Sequence, residues 1–221
     1  MKRVPFEETG LFRAFDSGRL DRMRPYVLNR DYAEGEYLYY VAEPAEYLWA
    51  VASGEVRTLR GSTNGRITTL ELLHPGDLFG MAAMTEGARY AESAQGVVPG
   101  EAWFVPRRAI LSVIDGDPSI GRALLSVVAG RLQTAHDRLC SFAHDSVTER
   151  MARTLLDAWD GHRIEMTRRI LGESAGTTVE TAIRVLRRFE RAGWIEGGVG
   201  WIRIKDRGAL VRIARGDAPE K

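Results

Sequence analysis

The sequence predicts an α+β chain in three parts: a β-sandwich or jelly roll toward the N-terminus, one long helix, and a C-terminal winged helix-turn-helix. Three observations carry this. Short aromatic and β-branched runs recur between glycines over residues 36–105. A narrow apolar seam of heptad period follows over residues 117–144. Beyond it, two capped helical runs meet at a glycine and lead into a short hairpin pattern.

The strand runs are "EYLYYV" (36–41), "YLWAVASGEVRTLR" (47–60), "ITTLELL" (67–73) and "EAWFVP" (101–106). "STNGR" (62–66) reads as a hairpin tip, because Asn-Gly supplies the positive φ of a tight turn. Several such strands at near-regular spacing indicate a sandwich or jelly roll.

The period then changes. Asp117 is placed to cap a helix that opens with Pro118, whose missing N–H costs nothing there. Leu125, Val128, Leu132, Ala135, Leu139 and Phe142 recur at spacings of 3, 4, 3, 4 and 3. That stripe is narrower than a core-facing one and fits a two-chain coiled coil better than packing on the chain's own domain. "SVTE" (146–149) is a capping box, in which Ser146 and Glu149 each satisfy an orphan N–H, and it begins a new helix that Asp160-Gly161 ends. Thr167 caps a short helix over 168–175, Gly176 turns the chain, and Thr178 caps a longer helix through Ala192. "WIE" (194–196), "GGVG" (197–200) and "WIRIK" (201–205) complete the wing.

Composition excludes several functions. Hydrophobic residues at 44% and charged residues at 28% suit a soluble domain protein. No apolar run approaches the roughly 18 residues of a membrane helix, and "MKRVPFEETGLFRAF" lacks the apolar core of a signal peptide, so a cytoplasmic protein without a membrane partner is expected. With Cys140 alone, an internal disulfide and a four-cysteine cluster are both out. No P-loop, G-x-S-x-G or H-E-x-x-H motif points to an enzyme. The net charge of +1 hides an asymmetry. Ser146–Arg215 holds 14 Lys and Arg against 9 Asp and Glu, or +5; the remainder holds 17 against 21, or −4. A basic C-terminal part beside an acidic remainder suits a polyanion.

Arginines around the helix-turn-helix sharpen that expectation. Arg168 and Arg169 open the first helix, Arg184, Arg187, Arg188 and Arg191 line the polar side of the second, and Arg203 and Lys205 lie on the hairpin. Any one of them suits a solvated face, but together they suit phosphate contacts, to which Thr178 at the helix start is added. Glu180 and Arg184 lie one turn apart where a recognition helix meets base edges. Arginine donates twice to guanine, and glutamate accepts from cytosine. Their i,i+4 spacing also suits an ion pair that preorganises the arginine.

Over residues 20–210 the chain resembles the family of the cAMP receptor protein and the oxygen regulator FNR. The resemblance rests on "HPGDLFG" (74–80), "GRLQTAHDRL" (130–139), "VTERMARTLL" (147–156) and "MTRRILGESAGTTVETAIRVLRRFERAGWIE" (166–196). It implies a homodimeric transcription factor with three parts. These are a cyclic-nucleotide-binding-like β-roll (1–116), a dimerisation helix (117–145) and a winged helix-turn-helix (146–221) that binds a two-fold double-stranded DNA site. An activator of this type also contacts RNA polymerase. "TVETAIR" resembles the FNR type, with Val179 where the cAMP-receptor type has arginine. That type reads half-sites like TTGAT. Glu180 and Arg184 match it, whereas Ile183 replaces its serine and is able to meet a thymine methyl.

The sensing residues of both relatives are missing. The resemblance assigns a candidate effector pocket to Met81, Arg89, Ala91, Glu92 and His136. Met81 stands where the cAMP receptor has a ribose-binding glutamate. Ala91 and Glu92 stand in place of its Arg-Ser pair for the cyclic phosphate, and Ala135-His136 in place of the Thr-Ser pair that meets the base. A carboxylate at Glu92 repels a phosphate, so no cyclic nucleotide is expected. No metal or cofactor is expected either; the histidines His74, His136, His144 and His162 form no recognisable ligand set. Regulation through abundance, without a ligand, is the leading expectation. A ligand- or redox-responsive regulator with its effector in the β-roll, or a regulatory subunit that does not bind DNA, stays open as an alternative.

Overall fold

The computed structural model describes residues 3–217. Contacts divide the chain into two compact units: residues up to Arg60 with Glu71–Gln133, and Gly61–Leu70 with Thr134 onward. This division falls inside the long helix.

The first unit opens with two 3-10 turns and a short helix α1 (Ser17–Met23), capped by Asp16 accepting from the Arg19 amide. The strands of the chain's N-terminal part are β1 (Leu28–Tyr32), β2 (Tyr37–Tyr39), β3 (Tyr47–Gly61), β4 (Ile67–Leu73), whose residues up to Leu70 count with the second unit, β5 (Leu78–Phe79) and β6 (Ser93–Pro106). They form a six-stranded sheet in the order β1-β6-β3-β4, with β2 on β6 and β5 on β3. The sheet is the β-roll that the resemblance implies. The run at 36–41 is a strand only over Tyr37–Tyr39, because Ala42 (φ 69°) turns the chain after it. β6 begins well before the predicted 101–106. β1 and the helix α2 (Arg107–Gly116) were not expected.

Two apolar clusters fill this unit. One gathers Phe6, Phe12, Met23, Leu48 and Leu78 with Ile110 of α2, and with Ile120 and Leu124 of the long helix α3 (Pro118–His144). The other lies inside the roll around Tyr39, Trp49, Val51, Phe79 and Tyr90, with Tyr39 and Tyr90 stacked at 3.7 Å. Burying a side chain of this size is worth roughly 1.5–3 kcal/mol. Arg57 of β3 is 1% exposed and donates from Nε and Nη2 to Gln95 Oε1, at 3.0 and 2.7 Å.

The second unit contains α4 (Val147–Asp157), α5 (Arg168–Ser174), α6 (Val179–Arg191), the hairpin β7 (Ile195–Gly198) and β8 (Trp201–Ile204), and α7 (Arg207–Ala214). The predicted caps all form. Ser146 and Glu149 make the reciprocal capping box, and Thr167 and Thr178 accept from the amides of Ile170 and Thr181. Met151, Leu155, Leu171, Leu186, Phe189, Ile202 and Leu210 are at most 0% exposed and make up the core of this unit. α7, absent from the sequence reading, packs on α4.

Candidate nucleic-acid interface

The helix-turn-helix is set by one corner. Gly172 of α5 leaves a gap that an added Cβ would fill to within 3.2 Å of Ala182, so α5 and α6 approach closely. Gly176 has φ 62°, and a Cβ there would lie 2.4 Å from the Phe142 ring. Both the left-handed backbone and the ring demand glycine. The end of α3 is bound to the same corner: Arg138 donates to the Ser174 carbonyl (3.2 Å), and Arg150 donates to that of Ala175 (2.9 Å) beneath Phe142.

α6 buries Ala182, Val185, Leu186 and Phe189 on one side. On the other, Arg184, Arg187, Arg188 and Arg191 are exposed. Among the described residues none of these four pairs with a carboxylate. The face thus keeps its full positive charge, which suits a phosphate backbone. Val179 and Ile183 are half-buried beside Glu180 and Arg184, both exposed.

Glu180 and Arg184 do not form the ion pair their spacing suggests. The Glu180 carboxyl is held below the usual range by its own backbone N–H and by the Thr178 hydroxyl. It turns back onto the helix start, where orphan amides and the positive end of the helix dipole favour an anion. Arg184 is left with all its donors for other acceptors.

Arg168 also departs from expectation. It donates to the Gly198 carbonyl (2.8 Å) and to Glu190 (3.2 Å), and so ties α5 to α6 and to the hairpin. Two of its donors are thus held by internal acceptors, and the side chain stays 27% exposed. Arg169 stays 60% exposed with a loose 3.8 Å pair to Glu173. On the wing, Arg203 and Lys205 share Glu196 at 3.7 Å each, and Arg203 also lies over the Trp201 ring. The hairpin register pairs Gly198 with Trp201 and leaves Val199 fully exposed at the tip.

The heptad seam lies open on the protomer. Leu125 is 66% exposed, Leu132 56% and Leu139 67%, with Val128 and Phe142 near 40%. Ala135, His136 and Cys140 are exposed too. Ile120 and Leu124, near the start of the helix, join the first unit's core.

Within the first unit, the candidate effector residues Met81, Arg89, Ala91 and Glu92 do not converge on one point. Met81 begins a 3-10 turn and packs on the core cluster of Leu48 and Leu78. Arg89 turns to the Ala42 carbonyl (2.6 Å). Ala91 is exposed. Only Glu92 points into the roll, where the Tyr39 hydroxyl donates to it (3.5 Å). Burial, then nearby Glu71, pushes the Glu92 carboxyl up, against the pull of Tyr39, Arg131 and Arg60. A raised folded-state value means that ionised Glu92 opposes folding at neutral pH, a cost that fades as pH falls through that value. Glu92→Gln is therefore expected to raise Tm at pH 7.5, with a gain that shrinks toward pH 4.5 in calorimetric scans. An unchanged or lower Tm at pH 7.5 would show that the carboxylate is compensated.

A β-roll followed by a basic, correctly capped winged helix-turn-helix defines a DNA-binding transcription regulator. Residues 29–117 match the cyclic nucleotide-binding domain, and residues 149–213 match the Crp-like helix-turn-helix domain. The chain is 31% identical over 210 residues to the cyclic AMP receptor protein of Thermus thermophilus, covering 93% of this chain and 97% of that one. It is 26% identical over 216 residues to a CRP-like cAMP-activated global transcriptional regulator of Mycobacterium tuberculosis, covering 93% and 96%. FixK2 from Bradyrhizobium japonicum superposes with a TM-score of 0.77 at 26% identity, over 85% of this chain and 96% of that one. The chain belongs to the CRP/FNR family of transcription regulators, which are not enzymes. Among the described residues no helix is long and apolar enough to cross a membrane.

Proposed function

We propose that this protein is a homodimeric, cytoplasmic regulator that reads a palindrome with TGA–TCA half-site cores and takes no cyclic nucleotide. The observation that carries the DNA reading is the outer face of α6, with four exposed arginines lacking carboxylate partners. Arg184 reads guanine, and Glu180 accepts from the paired cytosine once DNA draws it from the helix start. Val179 and Ile183 supply apolar contact, with Ile183 against a thymine methyl. Thr178, Arg169, Arg187, Arg188 and Arg203 hold the phosphates.

The open seam of α3 supports a dimer, with the half-site centres about one helical turn apart. If the protein activates transcription, RNA polymerase is a further partner. The relatives' names speak of cyclic AMP, but the residues here do not fit it. Ala91 stands where a cyclic phosphate needs a cation, and the neighbouring Glu92 presents a half-buried carboxylate beside Glu71.

Selection of bound sequences from random DNA, with and without cell-extract metabolites, tests this reading. TGA–TCA palindromes are expected in both arms. Enrichment that needs the metabolites contradicts ligand independence, and no palindrome in either arm contradicts the half-site. In a calorimetric titration cAMP is expected to give no saturable heat; tight stoichiometric binding contradicts the absence of a nucleotide site.

A further inference from the structure

The first unit carries a second concavity that none of these roles uses. A cleft of about 640 Å³ opens between Pro44–Tyr47, the Thr85–Arg89 turn and the start of α2. Its volume lies within the roughly 300–1,000 Å³ range of small-molecule sites. Its walls are preformed by backbone bonds: Ala45 N–H to Ala88 O (3.0 Å), Tyr90 N–H to Glu43 O (3.0 Å) and Arg107 N–H to Glu46 O (2.8 Å).

The charges in this cleft are arranged against stability. Arg89, Arg107 and Arg108 line it against one acid, Glu46. Elsewhere in this unit Arg3, Arg19, Arg24, Arg30 and Arg131 each have a carboxylate partner, and Arg13 and Arg22 donate to backbone carbonyls. Among the described residues, the three cleft arginines have none. Arg107 and Arg108 also occupy the first two positions of α2, whose N-cap Pro106 offers no side-chain acceptor and whose first turn holds no acid. Two cations at the positive end of a helix dipole repel it. In addition, Arg107 Nε is buried with no hydrogen-bond partner. Unneutralised arginines and a helix start without a side-chain cap both suit one anionic group. The other wall is apolar, with the Tyr47 ring and Leu111.

We propose that this cleft binds a small organic phosphate, with its phosphoryl group on Arg107 and Arg108 and its ring or chain along Tyr47 and Leu111. Arg89, anchored on the Ala42 carbonyl, closes the anionic end. The site is separate from Glu92 and from the DNA-binding residues, so it stands or falls independently of the DNA reading.

Titration calorimetry on the full chain tests it, with phenyl phosphate and inorganic phosphate as probes. Saturable binding is expected, tighter for phenyl phosphate. Arg107→Gln and Arg108→Gln are each expected to raise Kd roughly tenfold, the loss of one charge-assisted contact. Arg66→Gln, at the hairpin tip, is expected to leave it unchanged. Arg108 is exposed, so its variant keeps the test alive if Arg107→Gln fails to fold. No saturable phosphate binding by the wild type, equal weakening by Arg66→Gln, or preference for a polyglutamate peptide over phenyl phosphate would overturn the assignment.

Discussion

Arg184→Ala is expected to weaken binding to a TGA–TCA palindrome by roughly 1–3 kcal/mol per half-site and to relax discrimination at the guanine. The side chain is exposed and has no carboxylate partner in the protomer, so its removal leaves the fold intact. Both copies carry the change, so the palindrome is expected to lose more than an isolated half-site. Arg184→Lys separates charge from geometry. Lysine keeps the attraction to phosphate but loses the fork that donates twice to guanine, so non-specific affinity is expected to persist while base preference falls. Fluorescence anisotropy on the operator and on single-base variants measures both quantities. If Arg184→Ala binds every variant as the wild type does, the residue does not read DNA.

The second large effect is expected from Leu132→Asp. Leu132 is 56% exposed on the protomer, so a carboxylate there costs the monomer little. In a two-chain seam the same change removes two leucines and buries two like charges, which costs several kcal/mol. Dissociation to monomer is expected at concentrations where the wild type is dimeric, with unchanged far-UV circular dichroism. Sedimentation equilibrium gives the mass directly. Affinity for the palindrome is expected to fall because two half-sites are no longer held by one particle. A dimer of wild-type strength would show that the seam serves another purpose.

Much of the fold was legible because local signals agreed with tertiary packing. Ser146, Thr167 and Thr178 cap where the sequence placed them, since a cap depends on residues only three apart. β4 appears over the predicted 67–73, with its Asn-Gly turn before it. The predicted 101–106 is only the end of β6, whose earlier part holds Gly96, Pro99 and Gly100, residues without strand preference. They sit opposite irregular register in β3, where a Cβ on Gly100 would lie 2.1 Å from the Ser53 carbonyl oxygen. β1 was missed because "LNRDY" buries only Tyr32 and so shows no apolar alternation.

At the candidate site, residue types were legible and side-chain directions were not. The i,i+4 rule paired Glu180 with Arg184, but the helix start competes for the carboxylate and holds it. Arg168 looked like its neighbour Arg169 in sequence; only the hairpin and Glu190, distant along the chain, reveal its internal bonds. Arg57 lies in a strand pattern that does not mark it as buried, because its partner Gln95 comes from another strand.

The most direct test of the central claim is an anisotropy titration of the wild type on a TGA–TCA palindrome and on a scrambled duplex, at 50 and 200 mM salt, without added ligand. The expected result is tight binding to the palindrome alone, with affinity falling steeply as salt rises because bound arginines release counterions. Equal affinity for both duplexes, or none for either until a cyclic nucleotide is added, would contradict the account.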